Sequence, residues 1–354
     1  MEPTPSSERE RLLDRAESFL QQMVTDLAPI ESPGRGRPRI LPALCLWAGL
    51  LVCVLRGLGS QLALWRLLSQ TGLWLYPRFE VSDQAIYKRL ASGGLEPLQR
   101  LFEAITTCLA ERVQPFALHK LAPFARDIVA LDETTLDQVA RSLPSLRKVP
   151  DGDVRLLPGK LAALFDVRRQ LWRQLVFVPD AHQNEKVLAR DLVRMLPAGS
   201  LVLSDLGYFS YAWFDWLTDQ GHYYVSRLRQ KTSYVCQHVF YQQGNVFDGI
   251  VFLGAYRADR AAHAVRLVQF YVGDHAYRYI TNVLDPATLS IAQLAAVYAR
   301  RWDIELAIKL IKRYLNLHLL WSAKPIVVQQ QIWAVLIISQ ILQALRMEIA
   351  GRAA

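Results

Sequence analysis

The chain has 354 residues, a net charge of +9 and an isoelectric point of about 9.4. That length holds two or three domains with a substantial core, and the basic balance makes a polyanion a reasonable partner. The four cysteines, Cys45, Cys53, Cys108 and Cys236, form no CxxC pair, which argues against a disulfide framework or a structural zinc site and fits a reducing cytoplasm.

The first ten residues lack the charged-then-apolar plan of a signal peptide. Residues 1–120 predict a mostly helical region, beginning with helical apolar spacing over 8–27. Residues 33–39, Pro-Gly-Arg-Gly-Arg-Pro-Arg, are basic and unable to form a helix. Arg35 and Arg37 within them resemble the core of an AT-hook, which lies extended in the minor groove of A·T-rich DNA. A basic linker between two helices is the other reading. Residues 40–55 are the most apolar stretch, interrupted by Pro42 and closed by Arg56. They are too short to span a bilayer and predict a buried helix, so no membrane association is expected. Ser82 is the expected N-cap of a helix over 83–90. That helix reads equally as the recognition helix of a helix-turn-helix, after a helix near 61–68, or as an ordinary packed helix. Residues 96–112 predict another amphipathic helix, ended by Pro115.

From about residue 125 the pattern changes. Apolar runs at 128–131, 161–165, 171–177 and 201–203 predict strands, and 185–196 predicts a helix. Such alternation argues for an α/β domain. Asp132 follows the first run and Asp205 the last. Between about 222 and 282, repeated β runs separated by turn residues predict an antiparallel insertion. Arg227, Arg229 and Lys231 open it, and read either as the lining of a DNA channel or as a solvated basic face. Helices over 292–315 and 327–349 close the chain. His182 and Asn184 precede a helix and read as loop or capping residues rather than ligands.

Residues 294–312 contain no Pro or Gly. At roughly 100° per residue, Arg301, Glu305 and Lys312 fall within about 60° of Tyr298, on one stripe, and Lys309 joins them. Ile304, Ala307, Ile308 and Ile311 lie away from it. A carboxylate between Arg and Lys on a mostly apolar helix is costly to bury without partners, which points to a metal or a phosphate. With Asp132 and Asp205, Glu305 forms the kind of acid series that metal-assisted phosphoryl transfer needs.

The spacing Tyr298-x2-Arg301-x3-Glu305-x6-Lys312 resembles the YREK signature of the bacterial insertion-sequence transposases of the DDE type called the IS-four family. Asp132-Glu-Thr134 and Asp205-Leu-Gly-Tyr-Phe209 are similar to the family's first and second acidic motifs, although the position after the second Asp, often basic in relatives, is Leu206. Alternation along a strand leaves both Asp132 and Glu133 open as the first acid; the family motif selects Asp132. The resemblance covers about residues 125–345.

It implies a ribonuclease-H-like core with a β-rich insertion. The expected layout is a helical DNA-binding region over 1–120, a catalytic core over 121–325 with its insertion at about 222–282, and a C-terminal helix over 326–354. It also implies that Asp132, Asp205 and Glu305 are catalytic and hold two Mg²⁺ ions, for which Mn²⁺ substitutes, and that Tyr298, Arg301 and Lys312 grip DNA phosphates. The implied partners are the terminal inverted repeats and target DNA, bound by a homodimer in the bacterial cytoplasm at the nucleoid. A metal-dependent nuclease without strand transfer and a non-catalytic DNA-binding relic are the two rival readings.

Overall fold

A computed structural model describes residues 5–26, 40–112, 121–136, 147–150, 153, 159–178, 180, 185–255, 258, 260–313, 315, 317, 320–322, 324 and 325–353. The chain divides into two compact units: residues 1–114, 136–158 and 308–354 form one, and residues 115–135 and 159–307 the other.

The first unit is helical. It contains α1 (Pro5–Asp26), α2 (Ala43–Leu55), α3 (Gln61–Arg66), α4 (Asp83–Ser92) and α5 (Glu96–Arg112). Every residue of α2 from Cys45 to Leu55 is buried, as an apolar helix bounded by Pro42 and Arg56 requires. Gly49 lets α3 approach: a Cβ there would stand 2.9 Å from the side chains of Leu64 and Leu68. Ser82 caps α4 by accepting the Ala85 N–H at 3.2 Å, the expected cap. The long C-terminal helix, Pro325–Ala353, belongs to the same unit. Gln330 donates to the carbonyls of Leu90 and Gly93 at 3.0 and 3.1 Å, and Gln340 to Thr106 Oγ1 at 2.8 Å. These buried amides fix the helix against α4 and α5 because unpaired they would be costly. Residues Pro325–Gly351 are long and apolar enough to cross a membrane, but 78% of an apolar 18-residue stretch within them is buried in the protein, as in a core helix.

The second unit is built on a nine-stranded sheet. Its strands are β1 (Ile128–Thr135), β2 (Lys160–Asp166), β3 (Leu171–Val178), β4 (Leu201–Ser204), β5 (Tyr223–Arg227), β6 (Tyr234–Gln243), β7 (Val246–Leu253), β8 (Val265–Val272) and β9 (His275–Thr281). Their order is β3-β2-β1-β4-β5-β9-β8-β7-β6. β1, β2 and β3 form an antiparallel meander, β4 and β5 add in parallel to β1, and β9 to β6 continue antiparallel. The β run expected as an insertion therefore extends the same sheet. Parallel addition needs crossovers, supplied by α6 (Glu185–Arg194) before β4 and α7 (Tyr211–Asp219) before β5.

Those two helices cover one face. Val129 and Leu131 of β1, Val202 of β4, Tyr224 of β5 and Ile280 of β9 share a buried cluster with Leu192 of α6 and Phe214 of α7. Successive residues on a strand point to opposite faces, so Asp132, Asp205 and Tyr279 belong to the other face. There lies α8 (Ile291–Ala299), started by a capping box between Ser290 and Gln293. Its Tyr298 ring packs 4.7 Å from that of Tyr279.

The single helix expected over 292–315 is two helices. α8 stops at Ala299 and α9 runs Trp302–Arg313. Between them Arg301 N–H bonds to Tyr298 O and Asp303 N–H to Arg300 O, both at 3.0 Å, the tighter i→i+3 pattern. Arg300 pairs with Asp303 at 2.7 Å, and Gln170 donates to the same carboxylate at 2.7 Å. Local side-chain pairing at the start of α9, where acids favour the helix dipole, outweighs an uninterrupted helical pattern.

Candidate active site

β1, β4 and β5 lie side by side in parallel, with Ala130 level with Leu203 and Leu203 level with Val225. Two residues further on lie Asp132 in β1 and Asp205 just past the end of β4, on the face turned away from α6 and α7. Neighbouring strands are about 4.8 Å apart. Asp132 Oδ1 accepts the N–H of Glu133 at 2.8 Å. Asp205 begins a short 3₁₀ turn and its Oδ1 accepts the N–H of Gly207 at 2.9 Å. Buried Tyr208 and Phe209 anchor that turn, Phe209 packing 5.2 Å from Phe214. Glu133 points the other way: it pairs at 2.7 Å with Lys160 of β2, and both side chains are buried.

Glu305 is in the first turn of α9 and its Oε1 lies 2.8 Å from Arg301 Nη2. The Arg301 guanidinium stacks over the rings of Tyr298 and Trp302, at 5.8 and 5.3 Å. Tyr298 is buried, and its phenol donates to the Ser204 carbonyl at 3.3 Å, tying α8 to the end of β4 beside Asp205. Burial pushes that phenol up to about 12. The Asp132 carboxyl is pushed up to about 6, first by burial and then by the charges of Asp205 and Glu305, against the pull of the Glu133 N–H and of Arg301. The three acids are thus electrostatic neighbours. Ser204 Oγ and Arg301 Nε are buried without a hydrogen-bond partner among the described residues.

A family model described as "Transposase DDE domain" matches residues 124–341, more than half of the chain. The chain belongs to this family. It is 24% identical over 212 residues to the transposase for insertion sequence element IS231C of Bacillus thuringiensis subsp. berliner, covering 60% of this chain and 42% of that protein. Against the IS231B transposase of the same organism it is 24% identical over 149 residues, covering 42% of this chain and 30% of the relative. The chain therefore spans less than half the length of these two relatives. A solved piggyBac transposase synaptic complex with hairpin DNA is similar over 96% of this chain and 74% of that one, at a TM-score of 0.46 and 10% identity.

For this DDE domain the residue types fit a hard divalent cation. All three side chains offer carboxylate oxygen. Asp132 Oδ2 and Asp205 Oδ2 have no hydrogen bond among the described residues. Asp132 is raised first by burial and then by the charges of Asp205 and Glu305, and a bound cation would offset both costs of its charged form. Among the described residues no three His, Cys, Asp or Glu side chains close into a metal-binding cluster; carboxylates repel one another until a cation draws them in.

The remaining sequence-predicted residues are less gathered. Lys312 is two turns beyond Glu305 on α9, half-buried, and belongs with residues 308–354 to the first unit. Lys309 is exposed on the same helix. Arg35, Arg37, His182 and Asn184 lie outside the described residues. The Glu133–Lys160 pair and the Tyr298–Ser204 bond were not legible in the sequence, because both join residues brought together by strand register and helix packing.

Proposed function

We propose that this chain is a DNA transposase of the IS-four type, which binds the ends of its element and catalyses metal-dependent strand cleavage and strand transfer. The reading is supported by Asp132 in β1 and Asp205 just past the end of the neighbouring β4, with the charges of Asp205 and Glu305 both felt at Asp132, in a DDE-family chain. The layout we propose is a helical DNA-binding region over 1–120, a ribonuclease-H-like core over 121–325 with its insertion at about 222–282, and a C-terminal helix over 326–354. The mixed sheet supports the middle assignment.

Asp132, Asp205 and Glu305 would together hold the Mg²⁺ or Mn²⁺ ions, two of them on this reading. When bound, the ions supply an activated nucleophile and a stabilised leaving oxygen. The protein's own part is placement. Two strand ends and a helix are rigid supports that keep the acids converging. Arg301, held over Tyr298 and bonded to Glu305, keeps its positive charge beside the acids and is the proposed phosphate contact of the stripe. Tyr298 holds α8 to Ser204 and presents Arg301. Lys312 adds a second phosphate contact, and Arg35 and Arg37 engage A·T-rich minor groove. The partners are double-stranded DNA, both terminal inverted repeats and target, and a second copy of the chain. The setting is the bacterial cytoplasm at the nucleoid, with no membrane.

The test uses the purified chain, duplex DNA taken from the sequence bordering its gene, and Mg²⁺ or Mn²⁺. Cleavage at the element boundary followed by joining to a target plasmid is the expected result. Cleavage without joining assigns a nuclease of the same fold, and binding without cleavage assigns a DNA-binding relic.

A further inference from the structure

The row that holds Asp132 and Asp205 extends one strand further. Val225 of β5 is level with Leu203, and Ser226 with Ser204. Two residues beyond Val225 is Arg227, the last residue of β5. Asp132 in β1, Asp205 immediately after the end of β4 and Arg227 at the end of β5 therefore follow Ala130, Leu203 and Val225, which are level, by two residues each, on the same face. At about 4.8 Å per strand, Arg227 stands one strand from Asp205 and two from Asp132. On its other side Arg227 is level with Tyr279 of β9, the residue stacked on Tyr298. Its charge is felt at both phenols, and Tyr298 also feels Asp205.

The cations around this site differ in what they already hold. Arg301 is bonded to Glu305 and Arg300 to Asp303. Arg229 stacks on Phe209 at 5.2 Å and reaches the Leu206 carbonyl. Arg227 is exposed, and among the described residues it has no ion pair and no hydrogen bond from its guanidinium. A solvated arginine at the same offset as two acids has no structural task, because removing it leaves no buried group unpaired. It offers a planar fork of donors suited to two phosphate oxygens.

We infer that Arg227 binds the reacting phosphodiester itself, its guanidinium on the non-bridging oxygens from the β5 side while the acids serve from the β1 and β4 side. This rests on the transposase reading and deepens it: it names the group that meets phosphate charge not met by the acids and their ions. A phosphate seated over the row would bring negative charge toward Asp132 and Asp205, and Arg227 is the cation at the same offset on the next strand.

The test compares wild type, Arg227→Ala and Arg227→Lys on labelled duplex from the gene's border. Binding is measured by fluorescence anisotropy in Ca²⁺ over a range of salt, and cleavage is measured in Mn²⁺. Arg227→Ala is expected to keep the wild-type melting temperature, to bind roughly tenfold more weakly at low salt and to lose about 0.9 from the slope of log K against log salt. Its cleavage at saturating protein should fall roughly a hundredfold, as when one preorganised donor to a reacting oxygen is removed. Arg227→Lys should restore the slope but only part of the cleavage, since ammonium supplies charge without the fork. An unchanged slope overturns the inference, whatever happens to cleavage. A reduced slope with undiminished cleavage overturns it too, by moving the contact away from the reacting phosphate. A fall in melting temperature for both variants would make Arg227 structural. If wild type binds but cuts under no metal, the transposase reading fails while the slope comparison still reports whether Arg227 meets a phosphate.

Discussion

The two halves of the large sheet solve different problems. β1, β2 and β4 are enclosed, and β2 and β4 are buried at every position. β6, at the far edge, is exposed along all ten of its residues although it carries Val235, Val239 and Phe240. The enclosed strands are held by apolar packing on one face, which leaves their C-terminal ends free to present carboxylates on the other. In the outer meander, β7, β8 and β9 still send Val251, Val265, Leu267 and Ile280 into the apolar core, and they add a buried charge pair, Arg266 with Asp248, bidentate at 2.6 Å; only β6 is left without burial. Charge in the first half is of two kinds: Glu133 is paired with Lys160 in the interior, whereas Asp132 and Asp205, on the other face, have no ion pair among the described residues. Charge in the second half is satisfied internally and is structural.

The largest expected effect follows directly. Alanine at Asp132, Asp205 or Glu305 should lower Mn²⁺-dependent cleavage by roughly 10³-fold or more while DNA binding in Ca²⁺ persists, since on the proposed assignment each change removes a metal ligand. Glu133→Ala is the contrast, because it breaks the buried pair with Lys160. It should cost roughly 3–5 kcal/mol in urea unfolding, with cleavage per folded molecule retained. If Glu133→Ala abolishes cleavage at full stability while Asp132→Ala still cuts, the first acid is misassigned.

Asp248→Ala leaves Arg266 buried and unpaired. It should destabilise the second unit by roughly 3–5 kcal/mol, and the loss should be visible as a lower denaturation midpoint. A loss under about 1 kcal/mol would mean that the meander does not depend on this pair.

Asp132 supplies a pH test. Its carboxyl lies at about 6 instead of the ordinary 3.8. A folded-state pKa raised above the unfolded value means the folded chain binds the proton more tightly. That contribution is complete below about pH 3.8 and is lost as pH rises through about 6. In EDTA, Asp132→Asn should therefore be more stable than wild type at pH 7, by up to roughly 3 kcal/mol, and the gap should close toward pH 4. Mn²⁺ should raise the wild-type melting temperature at pH 7 and leave Asp132→Asn nearly unmoved. Equal stability of the two proteins at pH 7 would falsify the view that the Asp132 carboxylate is held charged in a buried setting at a cost to the fold.

The smallest effect belongs to the edge. Phe240→Lys on β6 should change stability by no more than about 0.5 kcal/mol, because little is buried there. A larger loss would show that another surface covers β6 in solution.

What the sequence determined by itself is local. Residues 128–131 and 201–203 are apolar because both strands are buried, and each run stops at an aspartate. Ser82 and Ser290 announce helix starts through short-range caps. The spacing of Tyr298, Arg301, Glu305 and Lys312 singles out Glu305 as a candidate by resemblance, because a motif at fixed spacing is readable without knowing the fold. What only the tertiary structure decided is which residues stand level and which face each one takes. Strand parity made Asp132 and Glu133 equivalent in the sequence; the pairing of Glu133 with Lys160 and the α6–α7 face separated them. The row joining Asp132, Asp205 and Arg227 comes from parallel register between strands far apart in the chain, and no local pattern encodes it. The turn at Arg300 and Arg301 is likewise a contest between an unbroken helical pattern and a network that includes Gln170, more than a hundred residues away. Periodicity records a residue's own burial, whereas long-range register and pairing set its partners.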